Sequence, residues 1–254
     1  MNNLKLFIKE MVSSVLHKLL IENSFEKVED IEKKIITLKT QEDKINFAKS
    51  NLEKLGEGEG RLVFRLGESQ VLKIAKDKSG LSQNKNESLT YSGLKSNDLE
   101  SIVPKVFTTG PGYSYIISEF VTQANEGDFH SKTGMDFESY TLELEDAISA
   151  YKANIFDPFK DTSYSLTDLR SGERFNSREE YEEWRTDEDG NLIEIEDEEI
   201  VEAPPFIIQV LHAVIFGELL VADLLDIEHY GITNDGRLVL IDTGLSFHSA
   251  LQRY

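Results

Sequence analysis

Four short β-type runs crowd the stretch between Gly56 and Val121, and they limit what this chain can fold into more than any other feature. Arg61-Leu-Val-Phe-Arg-Leu, Gln70-Val-Leu-Lys-Ile-Ala, Ser101-Ile-Val-Pro-Lys-Val-Phe-Thr-Thr and Tyr113-Ser-Tyr-Ile-Ile-Ser-Glu-Phe-Val have strand length and β-branched or aromatic content. Turn residues separate them, and a helical segment at residues 82–94 lies between the second and the third. Strand, strand, helix, strand, strand is the order of a small sheet with one helix packed on it, so an α+β fold is expected.

The flanks read as helix. Residues 4–20 place Leu4, Phe7, Ile8, Met11, Val15, Leu16 and Leu19 at steps of three and four, the period of an amphipathic helix. A more polar helical stretch runs from Phe25 to Leu55, with Ile31, Ile35, Ile36, Leu38, Ile45, Phe47 and Leu52 as its apolar positions. Residues 1–54 thus predict a helical hairpin whose stripe packs on the rest of the chain or docks a partner. Residues 134–155 predict a further helix. Pro204-Pro205 opens a strongly apolar helix reaching about Ala222, of the kind that belongs in a core. Tyr230-Gly-Ile-Thr, an Asn234-Asp-Gly-Arg turn and Leu238-Val-Leu-Ile-Asp predict a hairpin that ends on an acidic residue.

Charge is distributed unevenly. The chain of 254 residues carries a net −20, and residues 179–202, with 13 acidic side chains and one basic, hold −12 of it. Within the polar region 156–202, Ser171-Gly172 and Asp189-Gly190 are turn dipeptides and Ser177-Arg-Glu-Glu180 fits a capping box. This predicts an inserted subdomain of hairpins and a short helix with an acidic outer face. The acidity makes nucleic acid a poor partner, because each neutralised phosphate needs a Lys or Arg. The lack of cysteine excludes disulfide scaffolds, zinc ribbons and thiol nucleophiles. No run approaches the roughly 18 apolar residues of a membrane span, so a soluble, cytoplasmic protein is expected. A protein partner is expected to bind through the N-terminal helices or the acidic insertion.

Several residues invite a chemical reading. The Gly56-Glu-Gly-Glu-Gly60 loop directly precedes a strand, and glycines let backbone N–H groups approach a phosphate closely. It is neither a Walker A loop, which ends Gly-Lys-Ser/Thr, nor a dinucleotide loop, which opens a helix. Lys73 lies in the next strand between apolar neighbours, and a buried ammonium needs an anionic partner; Glu87 on the following helix supplies a candidate. Asp242 ends the Leu-Val-Leu-Ile strand, where a carboxylate suits Mg2+. Upstream, Asp223-Leu-Leu-Asp226-Ile-Glu-His229 follows the apolar helix. The five histidines show no metal-helix spacing, and the EF-hand-like Asp187–Glu198 segment has Leu192 where that loop needs glycine.

In this order the segments resemble the protein-kinase-like fold, and within it the small, divergent kinase-like proteins of bacteriophages and some bacteria. The resemblance rests on Leu55-Gly-Glu-Gly-Glu-Gly-Arg-Leu-Val-Phe, Val71-Leu-Lys-Ile-Ala-Lys, Gln83-Asn-Lys-Asn-Glu87 and Gly236-Arg-Leu-Val-Leu-Ile-Asp-Thr-Gly-Leu-Ser, over residues 55–121 and 204–246. It implies a small antiparallel-sheet N-lobe at 55–121 and a truncated helical C-lobe at 122–254 that carries the acidic insertion. By the same resemblance Gly56, Gly58 and Gly60 would cover the phosphates of ATP, Lys73 would contact them and Glu87 would orient Lys73. Glu119 and Val121 would lie in the adenine hinge, and Asp242 would bind Mg2+.

The departures bear on activity. His229 stands where the family has a metal-binding asparagine, and five residues back lies Leu224 rather than an aspartate. Asp223 or Asp226 would be the base only in a rebuilt loop, and Thr243 replaces the phenylalanine of Asp-Phe-Gly. The first expectation is a pseudokinase-type binding or regulatory module that takes ATP and Mg2+. A minimal phosphotransferase using Lys73, Glu87, Asp242 and Asp223 or Asp226 is the alternative. An acidic decoy for a basic host protein surface is a further one.

Overall fold

The computed structural model describes residues 28–187, 198–217 and 221–241, with Asn191, Ile193, Ile195 and Leu219 between them. The expected helix at 4–20, the Asp189-Gly190 turn and Asp242 lie outside the described residues. The chain divides into two compact units. One comprises residues up to Leu81 with Phe107–Phe120, and the other Ser82–Val106 with everything from Val121 onward.

The first unit begins with α1 (Val28–Thr37) and α2 (Gln41–Asn51), two helices where the sequence pattern predicts one. The break has a polar cause. Thr40 caps α2 by accepting from the Asp43 N–H, and the Lys44 ammonium, itself buried, donates to the Leu38 carbonyl at 2.8 Å, closing the end of α1. β1 (Lys54–Glu57), β2 (Arg61–Leu66) and β3 (Gln70–Ala75) follow. α3 (Lys78–Lys95) starts in this unit and continues into the second; β4 (Val106–Thr109) and β5 (Tyr115–Glu119) complete the sheet, whose strand order is β1-β2-β3-β5-β4. The β1/β2, β2/β3 and β3/β5 pairs are antiparallel.

Period-two alternation gives this sheet two unlike faces. Leu62, Phe64, Leu66, Leu72, Ile74, Tyr115 and Ile117 share one face and pack with Ile31, Ile35 and Ala48 of α1 and α2 in a single core cluster. The stripe of this helical stretch therefore packs on the chain itself. Gln41 fastens the arrangement, donating to the Ala75 and Ser114 carbonyls at 2.6 and 2.8 Å.

The chain leaves this unit after Phe120, whose N–H donates to the Ser69 carbonyl. What reads in sequence as one run, 113–121, is thus divided between two sheets. In the second unit β6 (Val121–Gln123) leads to α4 (Glu126–Thr133) and α5 (Phe137–Lys152). α4 carries a capping box between Asn125 and Asp128 and ends on left-handed Gly134.

The insertion contains β7 (Ser163–Ser165), α6 (Leu166–Ser171), α7 (Arg178–Trp184) and β8 (Ile200–Glu202), with β7 and β8 paired antiparallel. Ser177 caps α7 as expected, and the Glu180 carboxylate accepts from the N–H of Asn176 rather than Ser177. Inside the insertion, Asp168 is 1% exposed, accepts from the Tyr181 hydroxyl at 2.8 Å and lies 3.3 Å from Arg185, which also pairs with Glu198.

α8 (Pro205–Gly217) buries Ile207, Val210, Leu211 and Ala213 in the larger core. α9 (Val221–Leu224), a 3-10 turn at Ile227–His229, β9 (Tyr230–Thr233) and β10 (Leu238–Leu240) finish the described chain. β9 and β10 form the expected hairpin, and β6 pairs with the free side of β9 in a three-stranded sheet of order β10-β9-β6. Among the described residues no helix is long and apolar enough to cross a membrane.

Candidate functional site

The residues singled out in the sequence are divided between the two units, and each unit's share can be built separately. In the first, Lys73 is the fourth residue of β3, opposite Val63 on β2 and Ile116 on β5. It projects from the face opposite the core cluster, together with Val71, Ala75, Ile116 and Ser118. Those four are buried at 5% exposure or less, while Lys73 is half-buried. The reason is its register: mid-strand in the central strand of the sheet, its amphipathic stem lies along an apolar sheet face. Ser118 adds a buried hydroxyl with no hydrogen-bond partner among the described residues. Glu119 ends β5 opposite Gln70 and is half-buried.

The glycine loop is the β1–β2 connection. Gly56 belongs to β1, and the Gly58 N–H closes the turn on the Arg61 carbonyl at 3.0 Å. A side chain at Gly56 or Gly58 would meet nothing within 4 Å, whereas a Cβ at Gly60 would lie 2.5 Å from the Gly80 backbone nitrogen. Gly60 is thus required by the close approach of the loop to the start of α3, where Asp77 accepts from the Gly80 N–H. The loop is also anionic. Glu57 sits between Lys54 and Lys76, at 2.6 and 2.9 Å, and hydrogen bonds and charge from those two lysines hold its carboxyl down at about 2.

In the second unit Glu87 is 3% exposed. A carboxylate so buried needs a compensating donor or cation, and both Glu87 and Lys73 are engaged in polar or charged interactions. Val121 opens β6 opposite Thr233, and its side chain fills the space beside Gly231 that a Cβ would occupy. Asp226 and His229 bracket one 3-10 turn. The Asp226 side chain is its N-cap, accepting from the Glu228 N–H at 2.9 Å, and the His229 N–H donates to the Asp226 carbonyl. His229 is half-buried, and its Nδ1 has no partner among the described residues. The Ile241 N–H donates to the His229 carbonyl at 2.8 Å, so the last described residue lies opposite His229. Asp223 sits in α9, with only its backbone described.

Sequence reasoning missed a hydroxyl relay behind this segment. The Tyr230 hydroxyl donates to the Leu224 carbonyl at 3.0 Å, the end of α9, and the Tyr140 hydroxyl is hydrogen-bonded to it in turn. Burial pushes both phenols well above their ordinary range, so both remain protonated donors. Two tyrosines on separate predicted elements carried no local signal of this pairing.

The donors present fit a nucleotide in part. Lys73, the half-open glycine turn and the orphaned Ser118 hydroxyl are suited to phosphate and a hydrogen-bonding base, whereas Glu57 opposes an anion. Among the described residues no three His, Asp or Glu side chains converge as a metal-holding group, and the Mg2+ reading depends on Asp242, outside them.

No family model and no curated protein matches this chain. Solved structures do. An APH(2″)-IIa in ternary complex with streptomycin and ATP is 15% identical, with a TM-score of 0.35, over 87% of this chain and 70% of that one. Choline kinase LicA from Streptococcus pneumoniae is 18% identical, with a TM-score of 0.30, over 78% and 66%. Aminoglycoside 2′-phosphotransferase-IIIa in complex with GDP is 13% identical, with a TM-score of 0.35, over 81% and 73%. At such identities and scores these likenesses say nothing of a substrate for this chain.

Proposed function

We propose that this chain is a kinase-like nucleotide-binding module of the pseudokinase type, in which Lys73 receives phosphate and the segment 221–229 lacks a working base. The observation that carries the reading is the Asp226 carboxylate, which serves as the N-cap of the turn ending at His229. A base must reach the substrate proton, and the capping bond commits one oxygen of this carboxylate, Oδ1, to its own backbone. The side-chain carbonyl of asparagine caps as well as aspartate does. Asp226→Asn therefore keeps the turn while removing any base.

Thermal-shift titration with ATP tests the binding half, because a ligand taken only by the folded state raises its melting temperature. No shift at millimolar ATP overturns it. ATP turnover by the wild-type chain that Asp226→Asn abolishes overturns the other half. The occurrence of Lys73, Glu87 and Asp242 together in the sequence supports a second reading, a minimal phosphotransferase in which Asp223 supplies the base and Asp242 holds Mg2+. That reading expects Asp242→Ala to abolish turnover that Asp226→Asn leaves intact.

A further inference from the structure

We infer that Lys54 and Lys76 form a phosphate-binding pair which Glu57 occupies in the free protein as an internal stand-in for the ligand. This lysine pair does not depend on the reading proposed above.

In a regular strand Lys54 and Glu57, three residues apart, would point to opposite faces. The pairing of β1 with β2 slips between Lys54 and Gly56, so Leu55 is the extra residue of a bulge, and the bulge returns Lys54 and Glu57 to one side. Lys76 arrives from the end of β3, its own N–H donating to the Gly60 carbonyl at 2.7 Å, which fastens this lysine to the glycine turn. One ammonium then meets each carboxylate oxygen, Lys54 at Oε2 and Lys76 at Oε1. Two cations converge on one anion at the mouth of a glycine loop.

The anion is easily exchanged. The side chains of Lys54, Glu57 and Lys76 are 44%, 45% and 27% exposed, and ion pairs this open are weak and screened by salt. A phosphate brings more charge and more acceptor oxygens than a carboxylate to the same two ammonium groups. Glu57 thus holds the lysines in place, fending off weak anions and yielding to a polyphosphate. The ligand class is a di- or triphosphate; Lys54 and Glu57 lie opposite Phe64 and Leu62, on the sheet face away from Lys73, so the pair is a site separate from the phosphate that Lys73 receives in the reading above.

Calorimetric titration with inorganic tripolyphosphate and, separately, with ATP tests this on wild type, Glu57→Gln and the triple variant Glu57→Gln/Lys54→Gln/Lys76→Gln. Glu57→Gln is expected to bind tripolyphosphate about two- to fivefold more tightly than wild type, the range an exposed pair allows. The triple variant should lose that gain. Equal affinity of wild type and Glu57→Gln, a gain that survives loss of both lysines, or no tripolyphosphate binding at millimolar concentration in either chain overturns the inference. If tripolyphosphate follows the expected pattern while ATP binds no better than tripolyphosphate, the lysine pair stands and the nucleotide reading fails. If ATP binds the wild type and Glu57→Gln changes nothing, the reverse holds.

Discussion

Tyr230→Phe removes one oxygen from the second unit and leaves two polar groups stranded. Both Tyr140 and Tyr230 are fully buried, in a cluster with Phe129, Phe137 and Phe206 whose ring centroids lie 5.0–5.9 Å apart. Because Tyr230 donates to the Leu224 carbonyl, Tyr140 must be the donor in the tyrosine pair. Phenylalanine at 230 preserves the ring packing but orphans the Tyr140 hydroxyl and the Leu224 carbonyl, each at about 1–3 kcal/mol. The single substitution should therefore cost about 2–6 kcal/mol. Tyr140→Phe leaves the Leu224 bond intact and should cost about 1 kcal/mol. The double variant strands only the carbonyl, so it should be more stable than Tyr230→Phe alone by about 1 kcal/mol, a sign reversal that simple addition forbids. Urea unfolding followed through Trp184, the chain's one tryptophan, reads the unit that contains both tyrosines. A double variant less stable than Tyr230→Phe, or a Tyr230→Phe within 0.5 kcal/mol of wild type, would refute the relay.

Gly60→Ala should destabilise the first unit by about 1–3 kcal/mol, since its Cβ would lie 2.5 Å from the Gly80 nitrogen, while Gly58→Ala, which meets nothing within 4 Å, should change its melting temperature little. Equal effects would remove the close approach as the reason for glycine. Arg185→Met leaves the buried Asp168 charge without its cation and should cost about 3–5 kcal/mol locally; Trp184 fluorescence at low urea reports it, and an unchanged curve refutes it. Above pH about 10 stability should fall. Burial, the largest cause, raises the phenols of Tyr140, Tyr164, Tyr181 and Tyr230, with Tyr164 pushed to about 12. A raised phenol keeps its proton in the folded chain and loses it first in the unfolded one, so the contribution is full below the unfolded value and declines above it. A melting temperature flat from pH 9 to 11 would contradict this.

The first unit's sheet was legible because alternation survives wherever one strand face is buried: Leu62, Phe64 and Leu66 all fall on the core side. The junction after Phe120 was not. A change of sheet alters hydrogen-bond partners without altering hydropathy, so 113–121 reads as one run. The break between α1 and α2 depends on Lys44 reaching back to Leu38, a contact that helical periodicity does not encode. α4 was overlooked although Asn125, Asp128 and Gly134 spell its two ends; its polarity hid the one buried residue, Phe129. Lys73 was legible as a lysine whose apolar neighbours would cover its stem, whereas the near-complete burial of Glu87 on a largely polar helix was not. Asp226 was legible only as a carboxylate after the apolar helix, because its capping of the turn is a matter of backbone geometry that the sequence does not spell.

Two arginines of the acidic insertion are committed to its interior contacts. Arg185, the only basic residue among residues 179–202, is 7% exposed and joins Asp168 to Glu198. Arg178 lies 4.8 Å over the Tyr181 ring and pairs with Asp161 and Glu182. Both arginines are drawn to the polar and aromatic interior that fixes α7, so Glu179 and Glu183 on its exposed side have no cation within the helix to neutralise them. The net −12 of residues 179–202 follows from their composition, 13 acidic side chains against one basic, and the interior contacts fix only where that one cation sits.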